Sequence, residues 1–193
     1  MEKSLGPGIE KNFSKIFWIN ALSHIRMINI VIAFYYLRHG ITLTQILYLL
    51  VFFSIIQLVF EIPSSWAADK WGRKRVIMMS LVFMCFYWTT YIFAYSFWWF
   101  ALGTFFFAFG DAFMSGTDEA LLYDSEIELG RAGGTLKKLG RYLSSDRIFK
   151  IITPIIGAYI AQDLLDWQFK WLFILDFMGG IAALVIAATL VEP

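Results

Sequence analysis

An all-α membrane protein, a bundle of six transmembrane helices, is the fold class this sequence predicts. Three observations predict it. Of 193 residues, 59% are hydrophobic, well above the roughly 45–50% of soluble domains. The 16% that are charged gather into short clusters. Six apolar stretches approach or exceed the length of about 20 residues that a helix needs to cross lipid, and Lys and Arg crowd one set of alternating connections.

The segments fall at residues 17–37, 42–66, 76–95, 97–123, 144–162 and 171–191. The 16 residues before the first carry mixed charges, Gly and Pro, without the small-residue cleavage pattern of a secretory signal, so the first segment is expected to be retained. The second ends in EIPSSWAADKWGRKR, Glu61 to Arg75, and the third begins at once with Val76. Two lipid-length helices joined by so short a basic turn form a tight hairpin at one membrane face. The fourth segment follows the third almost directly. The fifth carries Asp146, Arg147 and Lys150 in its first turns; without it there would be five spans and an external C-terminus. Residues 124–143, with Gly130, Gly133, Gly134 and Gly140 among charges, are expected to form a mobile or amphipathic cytoplasmic connection.

Charge fixes the expected orientation. With the N-terminus inside, the cytoplasmic segments hold twelve basic residues, from Lys3, Lys11 and Lys15 through the Lys70–Arg75 turn to Arg131, Lys137, Lys138, Arg141 and Arg147, and the outer loops hold only Arg38 and Lys170. Positive residues favour the cytoplasmic side, so both termini are expected there, in a bacterial or archaeal plasma membrane. Seven of eight tryptophans sit at expected span edges, where an indole is half apolar and half wet, and Trp88 alone is mid-span.

Several functions are excluded. A net charge of +1 argues against nucleic acid. There is no phosphate-binding Gly-x4-Gly-Lys-Ser/Thr loop, no Cys/His metal cluster and no Ser/His/Asp set, so neither an enzyme, a cofactor nor a metal is expected. The single cysteine, Cys85, lies in an apolar run and forms no intrachain disulfide.

The basic hairpin reads Ser65-Trp66-Ala67-Ala68-Asp69-Lys70-Trp71-Gly72-Arg73-Lys74. It resembles the signature of the major facilitator superfamily, Gly-x-x-x-Asp-(Arg/Lys)-x-Gly-(Arg/Lys)-(Arg/Lys), at the same junction, with Ser65 in place of the first Gly. Gly72 suits the reversal, and Asp69 is placed to accept neighbouring amides and pair with Arg73. The resemblance implies that Asp69, Lys70, Gly72, Arg73 and Lys74 form a conformational latch against an opposing six-helix half; the alternative is a basic loop that only sets topology. A second string, Gly140, Phe149, Thr153, Pro154, Gly157 and Ala158, resembles the fifth-span motif of antiporter members, with Phe149 departing from it. Pro154 and Gly157 mark an expected helix kink, by antiport design or as plain packing. Ser115, Gly116, Glu119, Ala120 and Asp124 resemble the fourth span of facilitator-type exporters, although the basic residue of many drug exporters is absent there.

Polar residues within spans are the candidate proton and substrate pathway, because charge in a bilayer is costly and faces a cavity or a partner. The first span carries Asn20, His24, Arg26 and Asn29. At about 100° per residue, Asn20 and His24 fall on one face and Arg26 and Asn29 on a nearly opposite one. Arg26 and Asp111 are both near mid-depth and are expected to pair, or to compete for a proton and substrate. That pair is either functional or purely structural. His24 suits proton coupling or packing. Glu61 suits a cation, a proton, or capping of the basic turn.

Together these readings, with the family resemblance across essentially the whole chain, imply the six-helix half of a major facilitator-type transporter, a 3+3 inverted repeat without visible direct repetition. The expected function is secondary transport of a small molecule by alternating access, in the form of proton-coupled export. The expected partners are a small-molecule substrate, protons, membrane lipid, and a second six-helix half, on a separate chain, in a missing C-terminal stretch, or in a second copy. The alternative is a non-transporting membrane assembly protein derived from the same fold.

Overall fold

The computed structural model describes residues 8–130 and 135–192. Lys3 and Arg131, counted above on the cytoplasmic side, and Gly133 and Gly134 of the expected connection lie outside the described residues. After a short 3-10 turn at Ile9–Lys11, the helices are α1 (Asn12–Ser23), α2 (Ile32–Arg38), α3 (Leu43–Trp71), α4 (Arg73–Ile92), α5 (Phe97–Met114), α6 (Thr117–Glu128), α7 (Thr135–Ile160) and α8 (Asp166–Ala188).

Four helices, α3, α4, the α5–α6 run and α8, are long and apolar enough to cross a membrane. The other two expected segments differ. The first, expected as one helix over 17–37, is interrupted between Ser23 and Ile32. Side-chain acceptors from elsewhere take over the amides of the interruption: Met27 N donates to Asp176 at 3.0 Å and Arg26 N to Thr153 Oγ1 at 3.4 Å. Those amides have partners without an intrahelical ladder, so the helix is free to stop. The fifth segment is longer than expected, 26 residues, with its apolar part at Ile148–Ile160. The expected continuous helix over 97–123 is broken by a turn at Ser115–Gly116, where Gly116 adopts φ 76°. The expected connection over 124–143 is largely helical at both ends, since α6 runs on to Glu128 and α7 starts at Thr135.

Helix α4 is the centre of the bundle, packed against α5, α8, α3 and α6. Small residues let its neighbours close in: a Cβ on Gly110 of α5 would lie 2.9 Å from Ser80 O, and one on Gly180 of α8 would lie 2.2 Å from the Trp88 ring. Trp88 is accordingly buried, while the other seven tryptophans are exposed. The indoles expected at span edges are therefore outward-facing rather than core residues.

Helix α3 behaves differently. A Thr42–Gln45 capping box starts it, with Gln45 N donating to Thr42 Oγ1 and Thr42 N to Gln45 Oε1. Of its residues only Leu49, Ser64, Ala67 and Ala68 are buried, and Leu43, Leu47, Leu50, Val51, Ile55, Leu58, Val59 and Ile62 are exposed. A helix apolar on both its packed and its open face has hydrocarbon as its solvent.

The two ends of the bundle are built differently. Away from the basic turn, aromatic rings of Tyr35, Phe100, Phe169 and Phe173 pack edge-on or tilted around one another. Tyr36 and Tyr91 share a hydroxyl hydrogen bond of 2.7 Å, and Arg38 pairs with Asp166 across the loops. At the basic end, the buried Asn12 side chain donates to Ser125 Oγ and Val191 O and accepts from Val191 N, so one amide ties α1, α6 and the chain beyond α8 together.

Candidate functional site

The interruption between α1 and α2 positions the first group of side chains. α1 ends where His24 Nδ1 lies 2.9 Å from Asn20 O, competing locally with the helical ladder. The segment that follows is clasped on two sides. Asp176 of α8, fully buried, accepts Met27 N at 3.0 Å and Ile28 N at 3.5 Å. On the other side Gly157 of α7 lies so close that a Cβ there would sit 1.9 Å from Met27 O. Gly157 thus serves a backbone-to-backbone contact. The expected Pro154 kink is not needed for it: α7 runs on as helix through Pro154.

From this clasped segment Arg26 reaches α5. Its Nη2 donates to Asp111 Oδ1 at 3.2 Å, and its guanidinium carbon stands 4.8 Å from the centroid of the Phe107 ring. Asp111 Oδ2 accepts Gln57 Nε2 of α3 at 2.6 Å. Each carboxylate oxygen therefore holds a different element, and the charge-assisted bond to Arg26 is of the strong class. The two residues expected to meet do meet. Gln57 was not singled out from the sequence, although an amide one turn before Glu61 in an otherwise apolar run is a usable signal.

Two openings flank this network. One, of about 200 Å³, lies between α1, the α5–α6 turn and α7 and is lined by Asn20, His24, Asp111, Asp118, Glu119, Tyr142 and Lys150 among others. The other is a polar groove along α3, lined by Ser54, Gln57, Glu61, Ser64 and Ser65, and it shares Ser115 and Gly116 with the first. Asn20 and His24 thus face a cavity together, as their spacing predicts. Glu61 lies in the groove, outside the Arg26–Asp111–Gln57 cluster. Because the first segment is broken, Arg26 and Asn29 do not form a helical stripe: Arg26 pairs with Asp111, and Asn29 lines a separate, mainly apolar cavity of about 340 Å³ with Tyr36, Tyr87, Tyr91 and Phe107.

The basic turn is the second candidate site. Gly72 has φ 89° and ψ 145°, a conformation L side chains rarely adopt, and it separates α3 from α4. The expected Asp69–Arg73 pair is not formed. Arg73 Nη1 instead lies 2.8 Å from Asp124 Oδ2 at the far end of α6. The contact is an ion pair rather than an aligned hydrogen bond, because Nη1 has no hydrogen-bond partner. Asp124 wins because α6 runs past the start of α4 and sets a carboxylate beside it. The first amides of α4 are taken by Glu192, whose two oxygens accept Arg73 N at 2.6 Å and Lys74 N at 2.9 Å. A carboxylate at a helix N-terminus meets free donors and the positive end of the dipole. Asp69 and Lys74 line a shallow depression beside Glu192, and Lys70 Nζ stands 5.1 Å from the Trp66 ring. Among the described residues no group of His, Cys, Asp and Glu is arranged to hold a metal ion.

A hairpin closed by a basic, glycine-reversed turn, a carboxylate–guanidinium pair and a polar cavity beside it thus lie together in one apolar helical bundle. No curated protein matches the chain. The family model described as Major Facilitator Superfamily matches residues 16–193, and the chain belongs to that family.

Proposed function

We propose that this chain is one half of a proton-coupled exporter of small molecules that works by alternating access. Family membership implies secondary transport. The observation that carries the finer reading is the Arg26–Asp111–Gln57 cluster beside the polar cavity. A proton on Asp111 would cancel the attraction that holds Arg26 and weaken the link between α5 and the α1–α2 interruption. Protonation and conformation are thereby coupled through one carboxylate.

In this reading six segments cross the bilayer as two three-helix units in inverted repeat, with the basic turn and both chain ends in the cytoplasm. The clustering of basic residues supports that orientation. A second six-helix unit covers the cavity face. The open polar groove with Gln57 and Glu61 supports this, because polar side chains facing lipid are costly. The basic turn acts as a latch through Gly72, Arg73 and their contacts to Asp124 and Glu192, with Asp69, Lys70 and Lys74 presented to the second unit.

The test is a proton-flux assay in energised everted vesicles carrying the protein, with a panel of solutes added outside. Solute-dependent proton release that vanishes in Asp111→Asn supports the reading. Release unchanged by Asp111→Asn, or intact assembly with no flux for any solute, overturns it.

A further inference from the structure

The mainly apolar cavity of about 340 Å³ lies between α2, α3, α4 and α5. Among the described residues, none that lines it carries a charge. Phe107 lies at a shallow angle to two neighbouring rings of the wall. It stacks on Phe53 with centroids 5.2 Å apart at 26°, and its centroid is 4.8 Å from that of Tyr87 at 32°. Three hydroxyls of the wall satisfy one another: Tyr36 and Tyr91 share a bond of 2.7 Å, and Tyr91 and Thr104 one of 3.0 Å. Tyr87 is different. It is only 6% exposed, and its hydroxyl forms no hydrogen bond among the described residues. That hydroxyl is nevertheless not sealed by protein, so it opens on the cavity that the ring lines. Asn29, whose side chain also forms no hydrogen bond among the described residues, adds an amide at the exposed rim.

We propose that this cavity binds a small, uncharged aromatic molecule of the phenol class. The inference rests on the transport reading only in making that molecule cargo. A polar group held among apolar side chains without a partner is unfavourable, and a ligand that bonds there recovers the loss. A phenol hydroxyl both donates and accepts, so the Tyr87 hydroxyl suits a ligand group that does the same. An ionised ligand would give up its hydration for a wall without a counter-charge. Arg26, on the Phe107 ring, is already matched by Asp111. A flat ring can join the rings of Phe53, Phe107 and Tyr87 in offset stacking. The volume falls within the roughly 300–1,000 Å³ of small-molecule pockets, which are likewise apolar with a few placed polar groups. A lipid acyl chain would fill the space but leave the Tyr87 hydroxyl unmatched.

The experiment is equilibrium dialysis of the full chain in lipid nanodiscs at neutral pH, with protein-free nanodiscs subtracted. The probes are 2-naphthol, naphthalene, 2-naphthoate and 2-naphthylmethylammonium. Naphthol should bind about two- to tenfold more tightly than naphthalene, the worth of one neutral hydrogen bond, and the two ions should bind more weakly than either. Tyr87→Phe should erase the advantage of naphthol over naphthalene. It should leave the melting temperature without probe unchanged, because the hydroxyl has no protein partner to lose. Ala33→Trp, at an exposed position of the wall, should abolish binding of both. Equal affinity for naphthol and naphthalene marks a groove for acyl chains and overturns the proposal. So does binding of either ion as tight as that of naphthol, or a naphthol affinity indifferent to both Tyr87→Phe and Ala33→Trp. The two readings fail separately. Solute-dependent flux that needs Asp111, with no naphthol binding, removes this inference and leaves transport standing. Naphthol binding without flux for any solute does the reverse.

Discussion

Arg26 and Asp111 stand 85 residues apart in the sequence and meet with Nη2 3.2 Å from Oδ1. The pair joins an irregular segment to a regular helix, and Gln57 brings in a third element at 2.6 Å. Removing one charge from such a partly buried pair strands the other. Arg26→Leu alone should therefore destabilise the protein by about 2–3 kcal/mol, somewhat below the value for a fully buried pair. The double change Arg26→Leu with Asp111→Leu should be less harmful than the single one. Thermal unfolding of the wild type and these two variants in one detergent checks the order.

Glu192 gives a second prediction. Its carboxylate accepts two amides at the start of α4. Glu192→Gln should lower stability by about 0.5–1 kcal/mol, the scale of a solvent-exposed charge at a helix N-terminus. High salt should shrink the difference between variant and wild type. A melting-temperature comparison at low and high salt decides it.

The Arg73 partnership can be measured directly. A double-mutant cycle on Arg73→Ala and Asp124→Ala should return a coupling of about 0.5–1 kcal/mol, as for a half-exposed ion pair. The same cycle on Arg73 and Asp69 should return a value near zero. A reversed result would restore the pairing that the sequence pattern suggests.

Gly157 and Gly140 both occupy the string that resembles the antiporter motif, yet they should respond oppositely to alanine. At Gly157 the new Cβ would press on the Met27 carbonyl, an atom of the main chain that cannot swing aside, and a loss of about 2–3 kcal/mol or failure to fold is expected. At Gly140 a Cβ meets nothing within 4 Å. Alanine there should be neutral or stabilising by up to about 1 kcal/mol, by restricting the unfolded chain. Expression yield and melting temperature of the two variants separate them.

Asp176 offers a graded test. Asp176→Leu orphans the Met27 amide inside the bundle and should cost about 2 kcal/mol or more, while Asp176→Asn keeps one acceptor and should cost less. Equal losses in the two variants would mean that the negative charge, which both remove, matters and that the acceptor for the Met27 amide does not.

Much of this was legible in the residues. Apolar length alone located α3, α4, the α5–α6 run and α8, because hydrocarbon demands long unbroken runs whatever the tertiary packing. The reversal at Gly72 was legible because one backbone geometry suits one residue. Arg26 and Asp111 were found by the expense of charge among apolar neighbours. The interruption at 24–31 was not legible: its cause is Asp176, nearly 150 residues onward, and periodicity carries no information about a distant acceptor. The same holds for Asp124, which takes Arg73 from the nearer Asp69 only because α6 extends past the expected span. Asn12 and Glu192 sit near the chain ends, where hydropathy has no pattern to read.

The touching backbones at Gly157 and Met27 also have a mechanical meaning. Flexible side chains between two helices absorb small shifts by changing rotamer, whereas two main chains in contact have no such slack. Any tilt of α7 is passed undamped to the segment that holds Arg26, so a glycine pressed this hard against a neighbouring main chain acts as a rigid fulcrum between them.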